Sequence, residues 1–309
     1  MPVSDPIRSL LQRWLPGRDL DIRRASSGGS TEVYRVRFGE ETCWLRLAED
    51  PGEDRSVEYM VHDRLRGLGV RVPEILTFEV DPPELDRSAA LTSHMPGVPL
   101  SECADADLAN SVAFAAGEDL ARINSIPVSG FGWIDRIESG DIVAEHSTRQ
   151  DWALEYAEAT ARIASADILP GPAIPVLESA TDDWLRIDRG PRTHLAHGDF
   201  DVSHIYYDPV SREYTGIIDF GEARGTECEY DLGHALLHDG EGGRPAIFPA
   251  LLAGWSGKET DRALTDEAEL QAIAICTRQL ARMLDREHSP YRDWLTRRLA
   301  ELLVGVPPM

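Results

Sequence analysis

The sequence predicts an α+β protein in which a small, mostly antiparallel sheet carrying one helix precedes a larger, mainly helical region. Three observations predict it. Apolar and polar residues alternate between Val33 and Leu47, apolar residues recur at helical spacing in five segments beyond about residue 100, and one short hairpin interrupts those helices. With 309 residues and 42% hydrophobic content, the chain can bury a sizeable core, in one large domain or in two lobes sharing a cleft.

The polar loop Ala25-Ser26-Ser27-Gly28-Gly29-Ser30 leads into a β-favouring run, Val33 to Phe38. Gly39-Glu40-Glu41 is a turn. Thr42 to Leu47 then reads as a second strand, with Thr42, Trp44 and Arg46 on one face and Cys43, Leu45 and Leu47 on the other. A helix is expected from Ser56 to Leu68, with Val57, Met60, Val61, Leu65 and Leu68 as its apolar stripe and Gly69 to end it. Val72-Pro73 forces an extended exit. Apolar runs at 74–80 and 89–92 complete the sheet, and His94 to Gly97 reads as a short linker. Helices follow at 107–126, 150–166, 175–184, 267–284 and 291–303. Between the third and fourth lie the polar segment ending at Asp199, a strand from Ile205 to Tyr207, a turn at Asp208 to Ser211, and a strand from Tyr214 to Ile218. Gly240 to Pro245 is the expected flexible loop.

Acidic residues outnumber basic ones 54 to 31, a formal charge of -23, which disfavours nucleic acid as a partner. That balance is also what genome composition or a salty habitat would produce. Lys258 alone among the basic residues is a lysine. Cys43, Cys103, Cys228 and Cys276 are widely spaced, which argues against a disulfide framework or zinc knuckle and for a reducing, cytoplasmic setting. Residues 1–17 lack the apolar run of a signal peptide, and no stretch reaches the roughly 18 to 20 apolar residues of a membrane span.

The chemistry-bearing stretch is His197-Gly198-Asp199, then His204, then Asp219-Phe220-Gly221. A strand-turn-strand segment separates Asp199 from Asp219, so it can bring both carboxylates to one end of a cleft. Phosphoryl transfer needs a carboxylate to orient and deprotonate an attacking hydroxyl, and ligands that hold divalent metal on nucleotide phosphates.

These residues resemble the aminoglycoside phosphotransferase family, antibiotic kinases whose catalytic loop reads His-Gly-Asp with a metal ligand five residues later. Tyr230-Asp231-Leu232-Gly233, the loop 26–30, Arg46, the segment Met95 to Leu100 and Leu120 to Asn124 extend the resemblance over about residues 20 to 240. It implies a bilobal protein-kinase-like fold: a nucleotide-binding lobe over 1–93, a hinge at 94–97, and a helical lobe over 98–309 with the catalytic loop and substrate site. It further implies Asp199 as catalytic base, His204 and Asp219 as Mg²⁺ ligands, and ATP or GTP as co-substrate. Nucleotide contacts would come from Ser26, Ser27, Gly28, Gly29, Ser30 and Arg46, the last supported by Glu58, and from the backbone around Ser93 and Met95. His197 would brace the loop, and Trp44 would stack on the base or fill core.

Two departures stand out. The family usually places Asn where this chain has His204, and imidazole prefers transition metals to Mg²⁺; the macrolide phosphotransferases, some with His here, look similar. The base that is Lys in protein kinases must be Arg46, whose fork can hold phosphate bidentately. The acceptor would be a hydroxyl of an antibiotic, an aminoglycoside or a macrolide, with Glu222, Asp239 and Glu241 as acidic candidates to meet it. A nucleotide-binding pseudokinase and a metabolic small-molecule kinase are the alternatives. Gly130-Phe131-Gly132 lacks the third glycine of a dinucleotide fingerprint, Gly257-Lys258 is followed by Glu259 where a Walker loop needs Ser or Thr, and the pair His234 and His238 lacks the Glu of a zinc-protease helix and is read as structural.

Overall fold

The computed structural model describes residues 3–25, 31–138, 140–186, 193–259 and 261–304. The glycine loop, Ser26 to Ser30, lies outside them. In chain order, α1 (Asp5–Trp14), β1 (Asp21–Arg24), β2 (Thr31–Phe38), β3 (Glu41–Ala48), α2 (Ser56–Gly67), β4 (Ile75–Glu79), β5 (Ala89–Ser93) and β6 (Val98–Pro99) come first. Then follow α3 (Ala106–Ile123), β7 (Pro127–Ser129), β8 (Phe131–Glu138), β9 (Asp141–His146), α4 (Arg149–Ala166) and α5 (Ala173–Arg186). The chain ends with β10 (Thr193–Ala196), β11 (Ile205–Asp208), β12 (Glu213–Ile217), β13 (Arg224–Thr226), α6 (Tyr230–Leu237), α7 (Phe248–Ser256), α8 (Arg262–Met283) and α9 (Pro290–Val304). Two compact units emerge, one of residues 1–98 with 206–221, the other of residues 99–205 with 222–309.

The first unit is built on an antiparallel sheet of order β1-β2-β3-β5-β4. Val36, Leu45, Leu47 and Leu91 point to one face, as period-two alternation requires, and are buried with Tyr34 and Phe38. What covers that face is α1, an addition to the single helix expected: Ile7, Leu10 and Leu11, at i, i+3 and i+4, pack into the same cluster. Arg13 ties the helix to the far edge of the sheet through Glu79 and Glu84, at 2.8 Å each. The opposite face of β3 carries Trp44 and Arg46, and β6, β11 and β12 form a three-stranded sheet of order β12-β11-β6.

In the second unit β7, β8, β9, β10 and β13 close into a small barrel, order β10-β13-β8-β9-β7, with β7 parallel to β9. The sequence reading has no counterpart for its first three strands. Closure this tight needs residues without side chains: a Cβ on Gly225 would lie 2.6 Å from Val128 and 2.7 Å from the Gly130 carbonyl. The helices pack around two cores, one with Ile163, Leu177, Ile273, Cys276, Leu280, Leu295 and Leu299, the other aromatic with Trp152, Tyr156 and Trp184. Two boundaries differ from expectation by three residues or more. α3 stops at Ile123 rather than Ile126 because the chain turns into β7, and α8 begins at Arg262 rather than Glu267 because Asp261 caps it, accepting from the Leu264 N–H at 3.3 Å. Among the described residues no helix is long and apolar enough to cross a membrane.

Candidate active site

Within the second unit, β10 runs out of the barrel directly into His197-Gly198-Asp199. Gly198 has φ +89°, and a Cβ there would lie 1.8 Å from the Glu222 carbonyl oxygen, so the sharp turn that presents Asp199 is open to glycine alone. Asp231, fully buried at the start of α6, clamps the turn: its carboxylate accepts from the backbone N–H groups of His197 at 2.8 Å and Gly198 at 2.9 Å, and from the Asn124 amide at 2.9 Å. Burial pushes the Asp231 pKa up against the pull of these donors. His197 accepts from the Asp199 N–H through Nδ1 at 3.3 Å. His204 donates from Nδ1 to the Asp199 carbonyl at 2.7 Å.

The Asp199 carboxylate meets a residue that the sequence reading set aside. His234, buried on α6, places Nε2 at 3.2 Å from Asp199 Oδ1, and its Nδ1 lies 3.2 Å from the Phe200 carbonyl, to which it must donate. Burial first, then the neighbouring His238, hold the His234 pKa well below its usual value. The neutral ring therefore turns a lone pair toward Asp199, and the contact becomes a hydrogen bond when a proton lies between them. A polar cavity opens beside Asp199, lined by Glu222, Arg224, Tyr230, His234 and Arg278 among others.

Within the first unit, Arg46 from β3 meets Glu58 from α2 at 3.1 Å and Asp219 at 2.7 Å, both through the same nitrogen. The sequence pairs Arg46 with Glu58; Arg55, whose guanidinium lies 3.5 Å from the other Glu58 oxygen, was not foreseen. Burial works against the Arg46 charge, but Glu58 and Asp219 more than offset it and raise its pKa. Arg46 Nε is buried without a hydrogen-bond partner, a donor that a phosphate oxygen would satisfy. Asp219 adopts φ +71°, which Asp tolerates better than most residues, and the Phe220 ring that follows is buried edge-on to His62.

The remaining candidates sit as follows. Trp44, half-buried, donates to His94 Nδ1 at 3.1 Å. Ser93 accepts from the Glu74 N–H through its hydroxyl, and Met95 is buried. Glu222 pairs with Arg224 at 2.9 Å on the wall of the Asp199 cavity. Asp239 accepts from the N–H groups of Ile247 and Phe248 at the start of α7, and Glu241 pairs with His238 at 2.8 Å. As metal donors, Asp219 offers a hard carboxylate oxygen suited to Mg²⁺, whereas His204 offers imidazole nitrogen, a softer ligand.

A model of the APH phosphotransferase enzyme family matches residues 21–273. The chain belongs to this family. Among solved structures, it resembles a thermostable mutant of the aminoglycoside phosphotransferase APH(4)-Ia in ternary complex with ADP and hygromycin B, at 17% identity over 97% of this chain and 99% of that one, TM-score 0.70. The macrolide 2'-phosphotransferase MphH from Brachybacterium faecium aligns at 18% identity over 99% of this chain and all of that one, TM-score 0.61. A choline/ethanolamine kinase family protein from Mesorhizobium loti aligns at 16% identity over 98% and 95%, TM-score 0.67. A search of curated proteins finds no match. The likeness shows an α+β protein-kinase-like fold, an antiparallel sheet followed by a mainly helical region.

Proposed function

We propose that this phosphotransferase moves the γ-phosphoryl group of ATP or GTP to a hydroxyl of a small molecule, with Asp199 as the base. The observation that carries the reading is the rigid presentation of Asp199: a glycine turn clamped by Asp231, with a neutral imidazole 3.2 Å from the carboxylate, in a member of a phosphotransferase family. The acceptor O–H gives its proton to Asp199, where His234 Nε2 can share it. The acceptor oxygen forms the new P–O bond, the bond from γ-phosphorus to the bridging oxygen breaks, and ADP or GDP leaves. Arg46, supported by Glu58, steadies the nucleotide phosphates, assisted by the loop 26–30 and by the backbone near Ser93 and Met95. Asp219 and His204 are the residues that would hold Mg²⁺, which when bound screens phosphate charge. The related structures include antibiotic kinases and a choline/ethanolamine kinase family protein. Acceptor identity is therefore tested by incubating the protein with ATP, GTP and Mg²⁺ against pooled aminoglycosides, macrolides and small metabolic alcohols. A gain of one phosphate by mass supports the reading; nucleotide binding with no transfer to any pool favours a pseudokinase.

A further inference from the structure

Taking Asp199 as the base for the acceptor hydroxyl, we propose that the cavity beside it binds a carboxylate on that acceptor, so that the substrate is an alcohol carrying one negative charge. The cavity lies wholly within the second unit and measures about 60 Å³. Its ionisable lining does not cancel. Glu222 and Arg224 pair at 2.9 Å, and Arg224 also donates to the Tyr230 hydroxyl at 3.0 Å, so this pair is neutral and its hydrogen bonds are made. Asp199, acting as the base, brings one negative charge, because the His234 it faces is held neutral by burial. Against it stand two arginines of α8 that line the cavity, Arg278 and Arg282, so the lining keeps one net positive charge.

Arg278 is 7% exposed, stacks 4.1 Å above the Trp152 ring, and has one terminal nitrogen, Nη1, buried with no hydrogen-bond partner. Among the described residues it makes no ion pair and no hydrogen bond, although arginine is charged under all ordinary conditions. Stacking on an aromatic face offsets only part of the cost of burying a guanidinium, which is otherwise recovered by an anionic oxygen. Arg282, one turn further along α8 on the same cavity, is exposed and also lacks a carboxylate partner among the described residues. One net positive charge in the lining matches a monoanion, and the planar fork of arginine matches the two oxygens of a carboxylate. A cavity this small admits such a group but not a sugar ring, and a polycationic aminoglycoside would meet like charge there.

The test uses a ladder of ω-hydroxy carboxylates, glycolate to 6-hydroxyhexanoate, with their methyl esters, glycerol 3-phosphate and hygromycin B as controls. Binding is followed by calorimetry and transfer by mass, in the wild-type protein and in Arg278→Gln, Arg278→Lys, Arg282→Gln and Asp199→Asn. One or more acids should bind and accept phosphate. Esterification or Arg278→Gln should weaken that acid about 10- to 100-fold in KM with the nucleotide KM unchanged, and Arg278→Lys should recover part of the loss. Asp199→Asn should bind the acid yet fail to phosphorylate it. Arg282→Gln, an exposed position, weakens the acid without altering the fold, which keeps the proposal testable if Arg278→Gln does not fold. Acids and esters binding alike, a preference for glycerol 3-phosphate, or Arg278→Gln lowering Tm while leaving the acceptor KM unchanged would each overturn it. Transfer to neutral or cationic alcohols alone overturns the carboxylate site and keeps the kinase reading. Arg278-dependent binding of acids with no transfer to any alcohol keeps the site and removes the kinase reading.

Discussion

In the proposed reaction, Asp199, His234 and Asp231 show how little of a reacting centre depends on the reacting group itself. The carboxylate acts only as well as its backbone is held, and the hold is one buried aspartate with three donors. Replacing Asp231 by Ala leaves two buried N–H groups without an acceptor and should cost about 2 to 5 kcal/mol of stability, read by denaturant titration. The paired Arg46 and Glu58 make a parallel case. Arg46→Gln leaves the buried Glu58 carboxylate with Arg55 alone, at 3.5 Å, and should destabilise by about 1 to 3 kcal/mol while raising the nucleotide KM, and Glu58→Gln in the same chain should restore part of the stability but not nucleotide affinity. His62 and His234 set a pH dependence. Burial lowers both pKa values below the unfolded value near 6.5, so the folded state binds fewer protons. The stability they contribute is present above about pH 6.5 and is lost as pH falls below it, by up to about 1.4 kcal/mol per unit for each histidine. Thermal melts from about pH 7.5 to 5 should show Tm falling, with a shallower slope in His62→Gln; carboxylates with lowered pKa values, such as Glu227, add their loss only below about pH 4.5. A flat profile would contradict this account.

At the scale of elements, the strands and helices with sustained periodicity were legible in the sequence. The β2–β3 hairpin and α4 declare themselves because one face of each meets a core. α2 is legible as a helix, but of its expected stripe Val61 and Leu65 are buried while Met60 and Leu68 are exposed, and Glu58, Tyr59 and His62 are buried instead because the helix packs toward Arg46 and Phe220. α1 does not declare itself, since three apolar residues among Asp5, Arg8 and Arg13 look like a charged tail until a sheet face needs covering. Leu11→Ala should therefore destabilise the first unit by about 2 to 5 kcal/mol, as a core position rather than a terminal one, measurable by urea unfolding. The barrel is illegible for another reason. Its strands are short, and glycines at Gly130, Gly132 and Gly225 read as loop when their function is closure. The candidate site divides the same way. The His-Gly-Asp turn and the Arg46–Glu58 pair are legible through the family resemblance, whereas His234 reads as a structural histidine and Arg278 carries no sequence signal. Only the fold tells which side of α6 or α8 faces Asp199.

Across the whole molecule, a charge of -23 coexists with a cavity whose unpaired residues include two arginines, so overall composition is a poor guide to what binds. Net charge of that size acts on compactness instead. Raising monovalent salt from about 0.01 to 0.5 M should raise Tm by screening self-repulsion, and a Tm that falls would place attractive surface pairs such as Arg13–Glu79 ahead of it. Family membership and fold set the reaction class but leave the acceptor open, because related folds carry antibiotic and choline/ethanolamine kinase names alike. The central claim is that Asp199 takes the acceptor proton. It is tested most directly by single-turnover transfer from γ-labelled ATP to the best acceptor, comparing wild type with Asp199→Asn at saturating nucleotide. A fall of about 10²- to 10⁴-fold in rate, with the nucleotide-induced rise in Tm preserved, is the predicted result; transfer by Asp199→Asn at the wild-type rate would contradict it.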